Sequence, residues 1–203
     1  MKRKNMLKVG LTGGIASGKN IISDYFGTLG APIYDTDLIS RELTVFPNDG
    51  FQAILSLFGK NFLVSENEID RNKIKRHIFS NPSEKARLES VLHPLIHNSL
   101  TEQLKKCSKN YCIIVVPLLF ETNFIELMDT TIVAHCSKAL QLKRLIARDK
   151  IEKELAIKII ESQASEDERV KKADVIVDTE KNIIDIHNQI TELHHRFTKI
   201  KND

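Results

Sequence analysis

The amino-acid sequence predicts an α/β fold, in which a mainly parallel sheet lies between two layers of helices and carries a helical insertion. Three observations predict this fold. Short apolar runs alternate with amphipathic runs of helical period before residue 38 and again after residue 110. The first apolar run leads directly into a glycine-rich loop, a common strand-to-helix passage in parallel sheets. Between residues 38 and 104 the helical period persists and a strand pattern is almost absent.

The composition is that of one globular domain. Of the 203 residues, 41% are hydrophobic and 28% are charged, so the chain can bury a sizeable core and is too apolar for disorder. A formal net charge of +3 is too small to indicate nucleic-acid binding, although it suits phosphate ligands. The longest apolar stretch, residues 112–120, is far shorter than the roughly 20 residues of a membrane-spanning helix. We therefore expect neither a nucleic-acid nor a membrane partner.

The first residues and the cysteines favour the cytoplasm. Residues 1–5 are basic, but a glycine-rich loop follows them where a secretory signal would have a continuous apolar run. The cysteines are odd in number and form no C-x-x-C pair, which favours reduced thiols and argues against a zinc site: Cys107, Cys112 and Cys136. We expect a cytoplasmic protein that functions as a monomer.

The elements before the insertion follow in a clear order. Residues 7–12 form a short β-rich run that ends in glycines. Residues 19–29 carry apolar side chains at helical spacing, and Gly30 is a helix stop. Residues 31–34 then form a brief second strand.

The insertion is predicted to be helical. Helices are expected over residues 51–58, 73–79 and 82–104. The last of them has Asn81 as a cap, Pro82 at its first position and Glu84 completing a capping box. Pro94 lies inside its apolar stripe, so we expect a kink or a break near His93.

Strands and helices alternate again after the insertion. Strands are predicted over residues 111–116, 130–134 and 175–177, and the first is a continuous apolar run suited to burial on both faces. Helices are predicted over residues 138–148 and 152–163. A closing helix carries an apolar stripe at alternating spacings of three and four residues: Ile183, Ile186, Ile190, Leu193 and Phe197.

The strongest functional signal is the loop Gly13-Gly-Ile-Ala-Ser-Gly-Lys-Asn20, which matches the P-loop pattern G-x-x-x-x-G-K-[ST] except at its last position. Its glycines let backbone N–H groups face inward as an anion nest, at the positive end of the following helix. The ammonium group of Lys19 can reach the β- and γ-phosphates of a nucleotide. The expected nucleotide contacts are Gly13, Gly14, Ile15, Ala16, Ser17, Gly18, Lys19, Asn20 and Ile21. The alternative is a glycine-rich turn that only links strand to helix.

The second signal is Asp35-Thr-Asp37, which follows the second strand and therefore lies at the same sheet edge as the loop. Two carboxylates with one residue between them point to one face of an extended segment. One could hold magnesium while the other accepts a proton from an attacking hydroxyl. The alternative is a turn followed by a helix cap.

The third group is basic. Arg144 and Arg148 are four residues apart on one helix, and the guanidinium fork binds phosphate oxygens well. Spacing alone favours a solvated basic face, and Arg169 is similarly ambiguous. His93 and His97 lack the Glu of a helical zinc motif, so a metal site is not expected, and they are interpreted first as structural residues. The alternative is that one of them touches a substrate.

Taken together, these residues resemble the dephospho-CoA kinase family. The matching segments occur in order between residue 7 and about residue 178: Leu11-Thr-Gly-Gly-Ile-Ala-Ser-Gly-Lys19, Tyr34-Asp-Thr-Asp37, Arg41-Glu-Leu43, Leu92-His-Pro-Leu-Ile96, Val116-Pro-Leu-Leu-Phe-Glu121, Gln141-Leu-Lys-Arg144, Arg148-Asp149, Gln163, Arg169 and Ala173-Asp174. The combination is far more specific than the P-loop alone, which many nucleotide-binding families share.

The resemblance implies a P-loop NTPase-like three-layer fold and transfer of the ATP γ-phosphate to the ribose 3′-hydroxyl of dephospho-CoA, with Mg²⁺ as cofactor. The implied parts are a nucleotide-binding core of residues 1–37, 111–138 and 170–200, a helical substrate-binding insertion of residues 38–110, and a lid of residues 139–165.

The resemblance also implies roles for single residues. Asp37 would be the general base, Asp35 a supporting carboxylate that contacts substrate and metal, and Arg144 the lid arginine that acts on the transferred phosphoryl group. Arg148 and Arg169 would contact ATP. The substrate pocket would be bordered by His93, Pro117, Leu118, Leu119 and Glu121.

Two positions depart from the family pattern. Asn20 stands where a Ser or Thr hydroxyl normally binds magnesium, and an amide oxygen is also a hard ligand. Thr179 stands where the family usually has an Asn close to the adenine.

Three other functions are alternatives for this sequence. A nucleoside or nucleotide kinase would share the fold and would differ in its acceptor. A GTP-dependent switch needs an N-K-x-D motif, and Asn72-Lys-Ile-Lys75 lacks the final Asp. A nucleotide-binding protein without catalysis is suggested only by Asn20.

Overall fold

A computed structural model describes residues 6–200; the basic residues 1–5 lie outside the described part. The chain divides into two compact units. The first contains residues 6–35 and 108–200, and the second contains residues 36–107. The insertion was expected over residues 38–110.

The elements of the first unit before the division are β1 (Leu7–Thr12), α1 (Lys19–Thr28) and β2 (Ile33–Asp35). The second unit contains α2 (Thr36–Leu43), α3 (Asp49–Phe58), β3 (Leu63–Ser65), β4 (Glu68–Ile69), α4 (Arg71–Ser80) and α5 (Pro82–Lys106). The first unit then resumes with β5 (Tyr111–Val115), β6 (Thr130–His135), α6 (Lys138–Asp149), α7 (Lys153–Glu161), α8 (Glu166–Lys172), β7 (Val175–Asp178) and α9 (Ile183–Lys199). Short 3-10 turns occupy Lys60–Phe62, Leu119–Glu121 and Asn123–Leu127.

A five-stranded sheet forms the centre of the first unit, in the order β2-β5-β1-β6-β7. Every neighbouring pair in it is parallel. All five residues of β5 are buried, because a strand in the interior of a parallel sheet is covered on both faces. These findings confirm the predicted α/β fold.

The core of the first unit lies between the sheet and the helices α1 and α9. One face of β1 contributes Val9 and Leu11, which are fully buried. The helices contribute Ile22, Phe26, Ile186, Ile190, Leu193 and Phe197 to the same cluster. On the other face of β1, a Cβ on Gly10 would come within 2.9 Å of Leu119 Cδ2, so a side chain here would have to displace Leu119 and Met128. The predicted stripe of the closing helix is therefore its core-facing side, apart from Ile183, which is exposed.

The second unit has a smaller apolar core of its own. Its buried members come from α3, β4, α4 and α5: Phe51, Ile54, Ile69, Ile74 and Leu88. The antiparallel hairpin of β3 and β4 was not predicted from sequence. Its strands have three and two residues, which is too short to show a period of two in the sequence. The insertion was therefore expected to contain almost no strand.

Two expectations about α5, a break near His93 and a capping box at its start, are wrong. The helix runs without a break from residue 82 to residue 106 and includes Pro94. The capping box is also absent, because the Asn81 side chain donates to the His77 carbonyl at 2.7 Å and Glu84 pairs with Arg87 at 2.9 Å. Asn81 therefore closes the end of α4 with its side chain and begins α5 only with its backbone.

Neither α5, at 25 residues, nor any other helix within residues 6–200 is apolar over a stretch long enough to span a bilayer.

Candidate active site

The glycine-rich loop joins β1 to α1 and is closed by its own backbone. Ser17 N–H donates to the Gly14 carbonyl at 3.0 Å, and Ile21 N–H donates to the Gly18 carbonyl at 3.0 Å. Gly18 precedes the helix with φ = 89°, a left-handed conformation that favours glycine. Ala16 also has a positive φ, of 59°. The loop therefore curls back at the N-terminus of α1, as an anion nest requires.

The glycines also lie close to neighbouring elements. A Cβ on Gly13 would lie 2.7 Å from the Ala134 carbonyl oxygen. A Cβ on Gly14 would lie 2.9 Å from Gln141 Nε2, and one on Gly18 would lie 3.1 Å from Thr179. The loop is thus seated against β6, α6 and the residue after β7.

The carboxyl ends of the parallel strands meet at the edge that carries this loop. Asp35 is aligned with Val115 of β5, which is in turn aligned with Leu11 of β1. Because strands are about 4.8 Å apart, Asp35 is roughly 10 Å from β1 along this row. The loop and Asp35 therefore share the edge at which ligands bind in such sheets.

The turn after β5 lies at the same edge. The Thr12 hydroxyl donates to the Pro117 carbonyl at 3.1 Å, which attaches the turn to the end of β1. Leu118 is half-buried, whereas Leu119 is fully buried beside Gly10 and supports the turn from inside the core. Glu121 is exposed, and its carboxylate accepts the N–H of Ala164 at 3.1 Å.

Asp37 and His93 belong to the second unit. Asp37 lies in the first turn of α2, two residues after the end of β2, and it is exposed. His93 lies in the middle of α5 and is half-buried. An acidic residue in the first turn also stabilises the helix dipole, so Asp37 suits the helix in which it lies.

Arg144 projects from α6 to the residue that follows β7. Its Nη1 donates to Thr179 Oγ1 at 3.1 Å, and its Nη2 donates to the Thr179 carbonyl at 2.8 Å. Thr179 Oγ1 lies 2.6 Å from the Ser17 carbonyl of the glycine-rich loop. Arg144 is therefore connected to this loop through a single residue, Thr179, by hydrogen bonds.

Arg169 is buried, with 3% of its surface exposed, and lies behind the loop. Its guanidinium pairs with Glu166 and donates to Gln163 Oε1, both at 3.3 Å. The same Gln163 oxygen accepts the loop's Ile15 N–H at 2.9 Å. In this arrangement Arg169 acts on the loop through Gln163.

Sequence reasoning assigned no role to four polar residues of this cluster: Gln141, Gln163, Glu166 and His135. Glu166 accepts from Gln141 at 3.5 Å and contacts His135 Nδ1 at 2.7 Å. Gln141 is 3% exposed, and the sequence signal for it and for Gln163 is that both stand in segments that resemble the family.

Arg148 is exposed and is not brought to the loop by the contacts of α6. It pairs with its neighbour Asp149 at 2.7 Å and 3.0 Å. The hydrogen bond to Asp149 raises the pKa of the Arg148 guanidinium above its usual value, so the group stays charged.

Cys136 lies beside Arg144 and Thr179 and is fully buried. Burial raises the pKa of its thiol, which keeps it neutral. None of the three cysteines takes part in a disulfide bond.

Magnesium fits the donors of this edge. Asn20 is exposed at the start of α1 and Asp35 is half-buried at the end of β2, and both offer hard oxygen ligands. Within residues 6–200 no group of three or more His, Cys, Asp or Glu side chains could hold a metal ion. Mg²⁺ at nucleotide sites needs no such group, because it is held by one or two protein oxygens together with phosphates and water.

The comparisons with known proteins agree with this arrangement. The family model for dephospho-CoA kinase matches residues 7–185. The dephospho-CoA kinase of Fusobacterium nucleatum is 38% identical over 179 residues, which are 88% of this chain and 92% of that protein. The solved dephospho-CoA kinase of Campylobacter jejuni is 30% identical with a TM-score of 0.70, covering 95% of this chain and 97% of that one.

A further solved structure supports the fold. TT1252 from Thermus thermophilus is 23% identical and superposes with a TM-score of 0.83, covering 95% of this chain and 98% of that one. The match of the family model over most of the chain, together with the identity to the Fusobacterium protein, gives the family: this chain belongs to the dephospho-CoA kinase family.

Proposed function

We propose that this chain transfers the γ-phosphoryl group of ATP to the ribose 3′-hydroxyl of dephospho-CoA, which gives CoA and ADP in the last step of coenzyme A biosynthesis. The observation that carries the proposal is the family match over residues 7–185, which includes the glycine-rich loop, Asp35, Asp37 and Arg144. The chain is accordingly a kinase.

The loop holds the polyphosphate of ATP in this proposal. The loop from Gly13 to Ile21 and the N-terminus of α1 bind phosphate oxygens through backbone N–H groups other than those of Ile15, Ser17 and Ile21, which donate within the protein. The ammonium group of Lys19 adds a charge beside the β- and γ-phosphates. The close packing around Gly13, Gly14 and Gly18 supports this role, because it holds the loop in one shape before the nucleotide arrives.

Asp37 accepts the proton of the 3′-hydroxyl. The alkoxide oxygen bonds to the γ-phosphorus, and the bond from that phosphorus to the β–γ bridging oxygen breaks, so that ADP leaves. Asp35 and Asn20 would hold Mg²⁺, and Asp35 also contacts the substrate. Bound Mg²⁺ would supply neutralising charge to the phosphates.

Arg144 supplies positive charge to the transferred phosphoryl group, and Arg148 contacts ATP from the exposed side of α6. Arg169 supports the ATP site through Gln163 and Ile15. Dephospho-CoA is bordered by His93 and by the turn that contains Pro117, Leu118, Leu119 and Glu121. Residues 38–110 bind this substrate, and residues 139–165 form a lid that excludes water.

We further propose that the protein works in the cytoplasm as a monomer, with ATP and dephospho-CoA as its substrates and Mg²⁺ as its cofactor. Cytoplasmic ATP and the absence of a disulfide bond among the three cysteines support this location.

The test is a coupled ADP-release assay with dephospho-CoA on the wild type and Asp37→Asn. Loss of the base is expected to lower kcat at least 100-fold, because general-base catalysis contributes about 10²–10⁴. Asp49→Asn is a matched control, since Asp49 is another exposed acid in the first turn of a helix of the same unit.

Three outcomes would contradict the proposal. Wild-type protein that releases ADP with nucleoside monophosphates and not with dephospho-CoA would make it a nucleotide kinase. Equal turnover of Asp37→Asn and Asp49→Asn would remove Asp37 as the base. A protein that is active only after Asn20→Ser would favour a nucleotide-binding protein without catalysis.

A further inference from the structure

Thr179 holds the guanidinium group of Arg144 by two atoms. The residue directly follows β7 and is 2% exposed. Its hydroxyl oxygen and its carbonyl oxygen accept from two different nitrogens of Arg144, at 3.1 Å and 2.8 Å. A bidentate contact fixes both the position and the plane of a guanidinium group.

The same hydroxyl connects Arg144 to the phosphate-binding loop. Thr179 Oγ1 lies 2.6 Å from the Ser17 carbonyl and 3.1 Å from the His135 carbonyl. A hydroxyl has one proton to donate, and the shorter distance assigns it to Ser17. The His135 carbonyl keeps the backbone N–H of Thr179 as its donor at 2.9 Å. The chain of contacts is therefore Arg144 to Thr179 to Ser17.

In the described part of the chain, Arg144 differs from the other two arginines of this region in that its charge is not paired with a carboxylate. Arg148 is paired with Asp149, and Arg169 is paired with Glu166. Among residues 6–200, Arg144 has no carboxylate oxygen within 4.0 Å of its nitrogens, and the atoms that hold it are neutral oxygens. Its positive charge is thus fixed in place without being neutralised by a direct ion pair, which is what an approaching phosphate needs.

We propose that Thr179 is a positioning residue, which fixes the Arg144 guanidinium at the rim of the phosphate-binding loop before ATP binds. This inference rests on the proposed function, because it takes the loop as the ATP site and Arg144 as a cation that acts there. Thr179 need not touch ATP. Its effect on catalysis passes through Arg144, and a Cβ on Gly18 would lie 3.1 Å from Thr179, so the residue is packed closely against the loop.

The alternative is that Thr179 only stabilises the loop through Ser17. A double-mutant cycle separates the two roles. Thr179→Val, which keeps the shape and loses the hydroxyl, is measured in the wild type and in Arg144→Met. Thr179→Ser keeps the hydroxyl, and Thr131→Val is a control that removes another buried hydroxyl, 4% exposed, at the start of β6. Thermal unfolding accompanies each variant, and Thr179→Ala replaces Thr179→Val if the latter does not fold.

We expect Thr179→Val to lower kcat/KM for ATP about tenfold, as for the loss of a hydrogen bond to a charged group. In the Arg144→Met background, Thr179→Val should lower kcat/KM for ATP less than about twofold. Thr179→Ser should restore most of the activity, and Thr131→Val should leave KM for ATP unchanged. An equal loss in both backgrounds, or a Thr179→Ser as impaired as Thr179→Val, would overturn the proposal.

The cycle is repeated by calorimetry with ATP and no acceptor, since this separates the inference from the proposed function. If the wild type does not phosphorylate dephospho-CoA, the proposed acceptor is wrong, while the coupling between Thr179 and Arg144 in the ATP dissociation constant still tests the inference. If the cycle shows no coupling between Thr179 and Arg144 in either the ATP dissociation constant or kcat, the inference is refuted even when the enzyme is active.

Discussion

Gly18 shows at the scale of a single residue why the glycine-rich loop has its sequence. Its left-handed φ of 89° and its approach to Thr179 are two separate reasons for glycine. Gly30 has nearly the same φ, of 85°, yet a Cβ there would meet no atom within 4 Å. The pair therefore separates backbone strain from crowding.

We predict that Gly30→Ala lowers the free energy of unfolding by about 1 kcal/mol and leaves ATP affinity unchanged, because only strain is added. Gly18→Ala should cost more and should weaken ATP binding at least tenfold, since the added methyl group displaces Thr179 or the loop. Urea unfolding and calorimetric titration of both variants measure this. Equal ATP affinities in the two variants would show that the crowding at Gly18 is irrelevant to the site.

The residue scale also shows what a single sequence can predict. The loop was recognised because its glycines and Lys19 are close together in the chain. The contacts of Gln163 with Ile15 and of Thr179 with Ser17 join residues 148 and 162 positions apart. No local pattern encodes such pairs, so the contacts that hold the loop were found only in three dimensions.

At the scale of elements, α9 carries a pH-sensitive contact with the sheet. His194 Nδ1 lies 2.6 Å from the Tyr111 hydroxyl. Burial lowers the pKa of His194 below its usual 6.5, and the nearby His195 adds a smaller effect in the same direction. Burial also raises the pKa of Tyr111, so the phenol keeps its proton and donates it to a neutral imidazole.

We predict that this contact loses stability in acid. Because the folded-state pKa is lowered, the unfolded chain takes up the proton first as the pH falls below about 6.5. The free energy of unfolding should therefore decline from there until the folded-state pKa is reached. His194→Gln, which keeps an acceptor for Tyr111, should flatten this decline in urea titrations between pH 7 and pH 5, whereas the exposed His195→Gln should keep most of it. A decline of the same steepness in His194→Gln would exclude His194 as its source.

The helix caps show where sequence patterns at the scale of elements mislead. The signature of a capping box was assigned to Asn81 and Glu84, where it does not form. It does form between Ser165 and Glu168 at the start of α8, a helix that was not predicted. The seven residues of α8 contain one apolar side chain, Val170, so no period marked them. Whether a side chain caps a helix depends on which hydrogen-bond partner lies near it. For Asn81 that partner is the His77 carbonyl.

At the scale of the whole molecule, the alternation of strand and helix predicted the α/β fold correctly because the buried parallel strands are continuous apolar runs. The order of the strands across the sheet was not predicted. In the structure β5, which follows the insertion, lies between β1 and β2. The turn at Pro117 is therefore placed between the glycine-rich loop and Asp35 by topology, at an edge that sequence order alone does not reveal.

The most direct test of the account is calorimetric titration of Mg²⁺-ATP into the wild type, Lys19→Met and Lys143→Met. The central claim is that the loop between β1 and α1 binds the polyphosphate of ATP, with Lys19 as its ammonium group. We predict one site in the wild type, binding at least tenfold weaker in Lys19→Met, and unchanged binding in Lys143→Met, an exposed lysine of α6. Absence of ATP binding to the wild type, or equal affinity in all three proteins, would contradict the claim.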